Sequence, residues 1–307
     1  MTEPLRGVLR ENESMAEHAS WRAGGAVACA YFPADLADLA NFLRGLRHDE
    51  PLLMVGLGSN LLVRDGGFDG TAIFTLGVLD TMRREADGSF YVEVGVASPK
   101  FARFVGKQGC AEAEFLAGIP GTVGGALAMN AGCHGGETWR YVERALMLNR
   151  DGEQIVRTPD DFSIGYRHVG LKETTDEIFA AAWFRFPEGD SDAAQLRMRE
   201  LLDRRTATQP LNLPNAGSVF RNPPGDHAAR LIEAAGLKGA QFDGAQVSEK
   251  HANFIVNPEG KASASAIEML IGRIQVEVDK KFGVSLIREV RIVGIAAGQS
   301  GRNREGN

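Results

Sequence analysis

Residues 118–132 constrain the fold of this chain more than any other stretch of its sequence. They are Gly-Ile-Pro-Gly-Thr-Val-Gly-Gly-Ala-Leu-Ala-Met-Asn-Ala-Gly, and 5 of them are glycine. Each glycine costs about 1 kcal/mol relative to alanine in a helix and also weakens a strand. Glycine leaves backbone N–H groups open to the close approach of a large ligand. The stretch therefore predicts a non-helical loop, either wrapped around a phosphate-bearing cofactor or forming a tight turn without a ligand.

The composition is that of a soluble globular protein. The 307 residues suffice for two domains, and the apolar content of 44% and charged content of 24% are ordinary. The net charge of −6 argues against a nucleic-acid surface, and no apolar run is long enough for a membrane span. The cysteines Cys29, Cys110 and Cys133 match no disulfide framework or metal motif. We expect a cytoplasmic protein with no metal site, bound to neither nucleic acid nor membrane.

A second glycine-rich segment lies at residues 56–63, at the end of the apolar run 52–57 that predicts a buried strand. Its sequence, Gly-Leu-Gly-Ser-Asn-Leu-Leu-Val, is neither a Gly-x-Gly-x-x-Gly fingerprint nor a P-loop. It supplies backbone donors with two short polar side chains, Ser59 and Asn60, which suit a pyrophosphate. A ligand that touches both glycine-rich stretches must be long. The pair therefore favours a dinucleotide cofactor, while structural turns remain an open alternative.

Further motifs follow in a fixed order along the chain. They are Met-Asn-Ala-Gly at 129–132, Tyr166-Arg167, Asn-Ala-Gly-Ser-Val-Phe-Arg-Asn-Pro at 215–223, Val-Ser-Glu-Lys-His-Ala-Asn-Phe-Ile-Val-Asn at 247–257 and Glu-Val-Arg-Ile-Val-Gly at 289–294. With the two glycine-rich stretches, they make residues 14–294 resemble the UDP-N-acetylenolpyruvoylglucosamine reductase family, flavoenzymes of bacterial cell-wall precursor synthesis. The short loop after Pro223 resembles the compact branch of the family, which lacks an inserted tyrosine-bearing loop.

The resemblance implies an α+β fold. A vanillyl-alcohol-oxidase-like (PCMH-type) FAD-binding domain is expected at 1–190, built from two α+β subdomains at about 1–80 and 81–190. A C-terminal α+β substrate-binding domain is expected at 191–296. The polar, glycine-rich tail at 297–307 is expected to be disordered.

The implied reaction is the reduction, through FAD, of UDP-N-acetyl-3-O-(1-carboxyvinyl)-glucosamine to UDP-N-acetylmuramate. NADPH is the implied hydride donor, and it would use the same cleft as the sugar. Hydride addition to the enolpyruvyl alkene builds negative charge beside a carboxylate, so the site needs fixed donors or cations there. By motif match, this role falls on Arg167 and on Glu289, which donates only when protonated. Ser218 is the implied proton donor.

The resemblance also implies which residues bind the cofactor and the substrate. The cofactor-binding residues belong to the two glycine-rich stretches: Gly56, Gly58, Ser59, Asn60, Leu61, Gly118, Pro120, Gly121, Thr122, Gly124, Gly125, Ala126, Asn130 and Gly132. The implied substrate contacts are Tyr166, Arg205, Asn222, Lys250 and His251. For the last four of these, a structural or solvent-exposed role stays open.

Two other functions fit parts of the pattern. One is a flavin oxidase of a small alcohol or sugar, and the other is a nucleotide-sugar-binding protein without redox activity. The spacing of Arg167, Ser218 and Glu289 favours the reductase over the oxidase. We expect the protein to be a monomer or a weak oligomer.

Overall fold

The computed structural model describes residues 4–174 and 176–299. The helices in these ranges are α1 (Leu36–Gly45), α2 (Ser98–Lys107), α3 (Val123–Met129), α4 (Ser191–Thr208), α5 (Ala228–Ala234) and α6 (Ala264–Phe282). The strands are β1 (Val8–Ser14), β2 (Ala26–Phe32), β3 (Leu52–Val55), β4 (Leu61–Val63), β5 (Phe68–Phe74), β6 (Met82–Arg84), β7 (Phe90–Glu93), β8 (Gly132–Cys133), β9 (Gly136–Glu137), β10 (Val142–Leu148), β11 (Gln154–Arg157), β12 (Phe162–Gly165), β13 (His168–Leu171), β14 (Ile178–Phe184), β15 (Gln241–Phe242), β16 (Ala245–Val247), β17 (Ile255–Val256) and β18 (Arg291–Val293). This mixture confirms the predicted α+β fold class. From residue 300 onward, the tail predicted to be disordered lies outside the described residues.

By packing, the chain forms two compact units. The first unit takes its described residues from 1–10, 30–57 and 72–205. The second takes them from 11–29, 58–71 and 206–307. The functional domains predicted at 1–190 and 191–296 stay a prediction.

The first unit is built on a five-stranded antiparallel sheet in the order β11-β10-β14-β7-β6. Its core includes the fully buried rings of Phe90, Phe101 and Phe184. The Phe101 and Phe184 rings meet edge to face with centroids 5.1 Å apart, a favourable arrangement for aromatic pairs. Strands β12 and β13 form a separate antiparallel hairpin, which contacts α3.

The second unit has its own core, with α6 as its largest helix. Its buried residues include Ile267, Ile271, Ile274 and Val278, which repeat at helical spacing. Trp21 is fully buried in the same core, and its indole Nε1 donates to a backbone carbonyl of β17 at 2.7 Å. A parallel pair, β4 with β18, and an antiparallel sheet, β15-β16-β17, complete this unit. Strands β4 and β18 run parallel, so the residues that precede β18 lie beside the residues that precede β4.

The glycine-rich stretch contains a helix, so the prediction of a non-helical loop at 118–132 is wrong for its middle. Helix α3 begins after Thr122, whose side chain accepts a hydrogen bond from the backbone N–H of Gly125. Val123, Ala126 and Leu127 are buried. Because tertiary burial supplies most of the stability of helices in proteins, it outweighs a glycine cost of about 1 kcal/mol per residue.

The N-terminus of α6 is bonded to a carboxylate from a segment of the second unit that is distant in the sequence. Asp65 accepts hydrogen bonds from the backbone N–H of Ala264 at 2.9 Å and of Ser265 at 2.8 Å. It also accepts one from the Ser265 hydroxyl. These bonds satisfy N–H groups that have no partner within the helix, at the end where its dipole favours negative charge.

We predict that Asp65→Ala lowers the free energy of unfolding by about 1–2 kcal/mol, because the first turn of the helix loses two backbone hydrogen bonds and a favourable charge. Urea unfolding followed by circular dichroism measures this change. Asp203→Ala is a matched control, since Asp203 is exposed on α4. A loss for Asp65→Ala no larger than that of the control would contradict this account of the α6 N-terminus.

Candidate active site

Three of the predicted cofactor glycines in the first unit pack against protein atoms. A Cβ added at Gly56 would stand 2.4 Å from Thr122 Oγ1, and one at Gly124 would stand 2.8 Å from Val94 Cβ. At Gly118 it would stand 2.7 Å from Cys133 Sγ. Real Cβ atoms essentially never approach other atoms this closely, so a side chain at any of these positions would force its neighbours to move. The Gly56–Thr122 contact also brings the first glycine-rich stretch against the second.

Gly125 differs from these three glycines. It is exposed, and nothing lies within 4 Å of the position where its Cβ would stand. Pro120 nearby is also exposed, and no carboxylate occurs between residues 118 and 132. Bare backbone without negative charge suits an anionic dinucleotide. The residues of this stretch therefore fit a cofactor of the FAD type.

The other predicted cofactor residues have structural contacts of their own. The Gly121 carbonyl accepts from the Ser98 N–H at 2.9 Å. In the second unit, Gly58 has a left-handed backbone with φ of 65°, and a Cβ there would stand 2.0 Å from the His18 carbonyl oxygen. Leu61 begins β4 as a buried residue. These contacts fix the backbone of both stretches.

Arg167 lies in the two-residue turn of the β12–β13 hairpin. Gly165 and His168 pair across the strands, and Arg167 has a φ of 54°, in the left-handed region. Its guanidinium Nη2 donates to the Gly132 carbonyl at 3.0 Å, and its Cζ lies 5.0 Å from the centre of the Tyr166 ring. Tyr166 is 49% exposed. The turn therefore holds a permanently charged, planar donor beside an exposed aromatic ring.

The turn that carries Ser218 lies against the segment that carries Glu289. The Glu289 N–H donates to the carbonyl of Val219, the residue after Ser218, at 2.8 Å. Gly217, before Ser218, has a φ of 73°, and its N–H donates to the Asn215 side chain at 2.9 Å. The fold thus brings together two predicted catalytic residues that are far apart in the sequence. Both belong to the second unit, whereas Arg167 belongs to the first.

Asn60 links a glycine-rich stretch to Glu289. Its side-chain Nδ2 donates to the Glu289 carbonyl at 3.2 Å, and its own carbonyl accepts from the Arg291 N–H at 3.0 Å. The sequence does not predict this contact. Only the glycine-rich pattern marks Asn60, and no local signal indicates a partner that lies in a distant strand.

Three of the predicted substrate contacts make bonds within the second unit. The Asn222 Oδ1 accepts from the N–H of Ala228, the first residue of α5, at 3.1 Å. Lys250 Nζ donates to the Thr206 carbonyl at 2.6 Å. Burial lowers the pKa of His251 below its ordinary value, so this imidazole is neutral at neutral pH. It is therefore not a cation for a phosphate group under those conditions.

Arg205, the remaining predicted substrate contact, lies near the loop between β8 and β9. Burial raises the pKa of the Cys133 thiol, while the charges of Arg205 and Arg167 act in the opposite direction. The pKa of Arg205 is lowered by burial, although an arginine keeps its charge in proteins. Burial, then nearby Arg204, lowers the pKa of His134. No sequence pattern predicts the electrostatic link of Cys133 to Arg205 and Arg167, because only the fold creates it.

Three possible metal ligands lie together in the second unit: Glu13, Glu17 and His18, each with a ligand atom within 4.8 Å of the others. A hydrogen bond of 2.8 Å between His18 Nε2 and Glu13 Oε1 accounts for the closeness of two of them. The prediction of no metal site stays a prediction.

Two family models match the chain. The model for an FAD binding domain matches residues 27–158, and the model for the C-terminal domain of UDP-N-acetylenolpyruvoylglucosamine reductase matches residues 209–293. The UDP-N-acetylenolpyruvoylglucosamine reductase of Thiobacillus denitrificans is 53% identical, over 94% of this chain and 93% of its own length. That of Legionella pneumophila is 52% identical, over 95% of each chain.

The chain belongs to the UDP-N-acetylenolpyruvoylglucosamine reductase family. The resemblance inferred from the motifs is thereby confirmed. A solved structure, the reductase of this name from Thermus caldophilus, has a TM-score of 0.80 and 29% identity, covering 94% of this chain and 99% of its own.

Membership of this family makes the protein an FAD-dependent oxidoreductase with a reductase role in peptidoglycan synthesis. The PCMH-type FAD-binding fold is confirmed as well. Only four residues separate Pro223 from α5, which agrees with the predicted short loop. Across the described ranges, every helix is either too short or too polar to cross a membrane.

We predict opposite outcomes for two neighbouring glycines of α3. Gly124→Ala destabilises the FAD-free protein, because its Cβ would collide with Val94. Gly125→Ala leaves that protein equally stable or stabilises it by up to about 1 kcal/mol, because alanine is the better helix former and has open space. If backbone at Gly125 approaches FAD, Gly125→Ala also weakens FAD binding.

Thermal unfolding of the FAD-free variants measures the first effect, and titration of FAD followed by flavin fluorescence measures the second. Equal losses of stability for the two variants would contradict the packing account. Unchanged FAD affinity of Gly125→Ala would show that the cofactor does not approach this glycine.

Proposed function

We propose that the protein catalyses the NADPH-dependent reduction, through FAD, of UDP-N-acetyl-3-O-(1-carboxyvinyl)-glucosamine to UDP-N-acetylmuramate. The observation that carries the proposal is the Ser218 turn bonded beside Glu289, in a chain more than 50% identical to reductases of this name over most of its length. When bound, FAD would supply the hydride transfer between NADPH and the sugar's enolpyruvyl group. The chain's own side chains then manage the charge and the proton that this delivery requires.

Arg167 binds the substrate carboxylate in this proposal. A hydride added at C3 of the enolpyruvyl group leaves an electron pair at C2, which spreads onto the carboxylate. A guanidinium suits this charge because its planar fork grips a carboxylate with two hydrogen bonds and never loses its proton. The bond of Arg167 to the Gly132 carbonyl supports the role, because it orients the fork before the substrate arrives. Such preorganisation is the main source of electrostatic catalysis.

Ser218 and Glu289 complete the reaction. Ser218 supplies the proton that C2 takes up, so the product gains one hydride and one proton and the charges balance. Glu289, as a neutral acid, donates a hydrogen bond to the substrate carboxylate as its charge grows. The backbone bond between Glu289 and Val219 supports this pairing, because it fixes the distance between the two segments.

The remaining predicted residues bind the two reactants. The two glycine-rich stretches would hold FAD, and the exposed backbone of Gly125 leaves room for it. Tyr166 and Arg205 are proposed contacts of the UDP-linked sugar, joined by Lys250 and by a neutral His251. Asn222 contributes indirectly, because its side chain bonds to the start of α5. NADPH and the sugar occupy the same cleft in turn, in a monomeric or weakly associated cytoplasmic protein.

The test is an anaerobic two-step titration of the purified protein loaded with FAD. We expect NADPH to bleach the yellow flavin, and the enolpyruvyl sugar then to restore the colour. Mass spectrometry should show the sugar product heavier by two hydrogens. Bleaching without recovery would overturn the proposed substrate, and absence of bleaching would overturn NADPH as the donor.

We predict that Ser218→Ala separates the two half-reactions. Bleaching by NADPH stays within about twofold of the unsubstituted protein, whereas recovery with the sugar slows by about 10²-fold or more, because only the second step needs the proton. Stopped-flow absorbance measures both rates. Ser285→Ala, at an exposed serine of the same unit, is the control. Equal slowing of both steps would assign Ser218 a structural role instead.

A further inference from the structure

Asn130 has an unusual position at the end of α3. Its backbone is left-handed, with φ of 41° and ψ of 53°, a conformation that asparagine tolerates better than most residues. It is only 3% exposed. This backbone ends the helix and directs the chain into β8, which begins at Gly132.

Every polar atom of the Asn130 side chain is used inside the first unit. Its Nδ2 donates to Glu137 Oε2 at 3.2 Å and to the Gly165 carbonyl at 3.2 Å. Its Oδ1 accepts from the Trp139 N–H at 3.1 Å. An asparagine amide has two N–H donors and one carbonyl oxygen. These bonds occupy both donors, and the cofactor contact implied for Asn130 stays a prediction.

These bonds converge on the turn that carries Arg167. The Gly165 carbonyl lies at the start of the turn, next to Tyr166. The guanidinium of Arg167 bonds to the backbone at the end of α3. Its Nη1 donates to the Asn130 carbonyl at 3.4 Å, and its Nη2 donates to the Gly132 carbonyl at 3.0 Å. The turn is therefore tied to residues 130–132 at its backbone and at its charged end.

We infer that Asn130 is a positioning residue, which holds the Arg167 guanidinium in the orientation that receives the substrate carboxylate. This inference rests on the proposed role of Arg167. A bidentate grip depends on the plane of the fork as well as on its charge. A misplacement of about 1 Å in such a group can slow a reaction by about 10²-fold. Asn130 thus acts on the sugar half-reaction through Arg167, without touching the substrate.

The experiment uses two substitutions at Asn130 in the FAD-loaded protein. Asn130→Asp keeps the oxygen that accepts from Trp139 but loses both donors and puts a second carboxylate beside Glu137. Asn130→Gly keeps the left-handed backbone, which glycine adopts freely, and removes all side-chain bonds. Both are expected to slow flavin reoxidation by the sugar by about 10- to 100-fold, while bleaching by NADPH stays within about twofold.

Asn149→Asp is the matched control. Asn149 lies in the turn between β10 and β11, donates to Glu153 Oε2 at 2.8 Å and accepts from the Glu153 N–H at 2.9 Å. The substitution is therefore the same in chemistry, and an asparagine–glutamate pair is again broken. Because distant, independent sites do not couple, we expect both half-reactions to stay within about twofold.

A rescue variant separates positioning from a general loss of structure. In Asn130→Asp with Glu137→Gln, the glutamine amide donates to the new carboxylate and removes the repulsion between two negative charges. We expect this double variant to regain part of the lost sugar half-reaction, with a lower KM for the sugar than Asn130→Asp. Calorimetric titration of the sugar into the oxidised protein gives the same comparison as a binding affinity, independent of turnover.

The inference is overturned if both half-reactions slow equally, if flavin content falls in proportion to activity, or if Asn130→Gly matches the unsubstituted protein. Should Asn130→Asp fail to fold, Asn130→Gly provides the same comparison. Failure of the proposed function is a separate outcome, because the unsubstituted protein would then fail to reoxidise with the sugar.

Discussion

The left-handed backbone of Asn130 is the constraint on which the arrangement of the first unit's site depends. It ends α3 and lets the chain reverse, so that residues 130–132 meet the turn of the β12–β13 hairpin. Its buried amide must then satisfy three backbone or carboxylate partners at once. A buried polar group without partners costs about 1–3 kcal/mol, so the same residue that shapes the backbone also fixes the position of Arg167.

Close packing accounts for most of the glycines on which the prediction of a cofactor rests. At Gly56, Gly118 and Gly124, the missing side chain leaves room for Thr122, Cys133 and Val94, and only Gly125 of the helical pair faces open space. Tight packing and close approach of a ligand both require the absence of a Cβ. The glycine pattern therefore does not separate the two causes, and within one stretch Gly124 packs against Val94 whereas Gly125 faces open space.

Local patterns predicted much of the fold. Leucines recur at helical spacing along α1, and the buried apolar residues of α6 repeat at the same spacing. Helix α3 was not predictable in the same way, because its glycines lower its propensity and its stability comes from burial. The family resemblance supplied candidate roles for Arg167, Ser218 and Glu289, but it gave no account of what holds them. The bonds of Asn60 to the Glu289 carbonyl and of Asn130 to the Gly165 carbonyl join residues that no sequence period relates.

The sequence by itself determined the fold class, the family and the identity of the side chains available for chemistry, because these depend on residue types and on their order. Only the tertiary structure decided which glycines make room for protein atoms and that a helix forms inside the glycine-rich stretch. It also decided that Asn60 bonds to the segment of Glu289 and Asn130 to the turn of Arg167. The physical reason is that these features depend on burial and on hydrogen bonds between segments far apart in the chain. Such bonds form only when the core brings the segments together, whereas helical spacing and turn residues are already present in the unfolded chain.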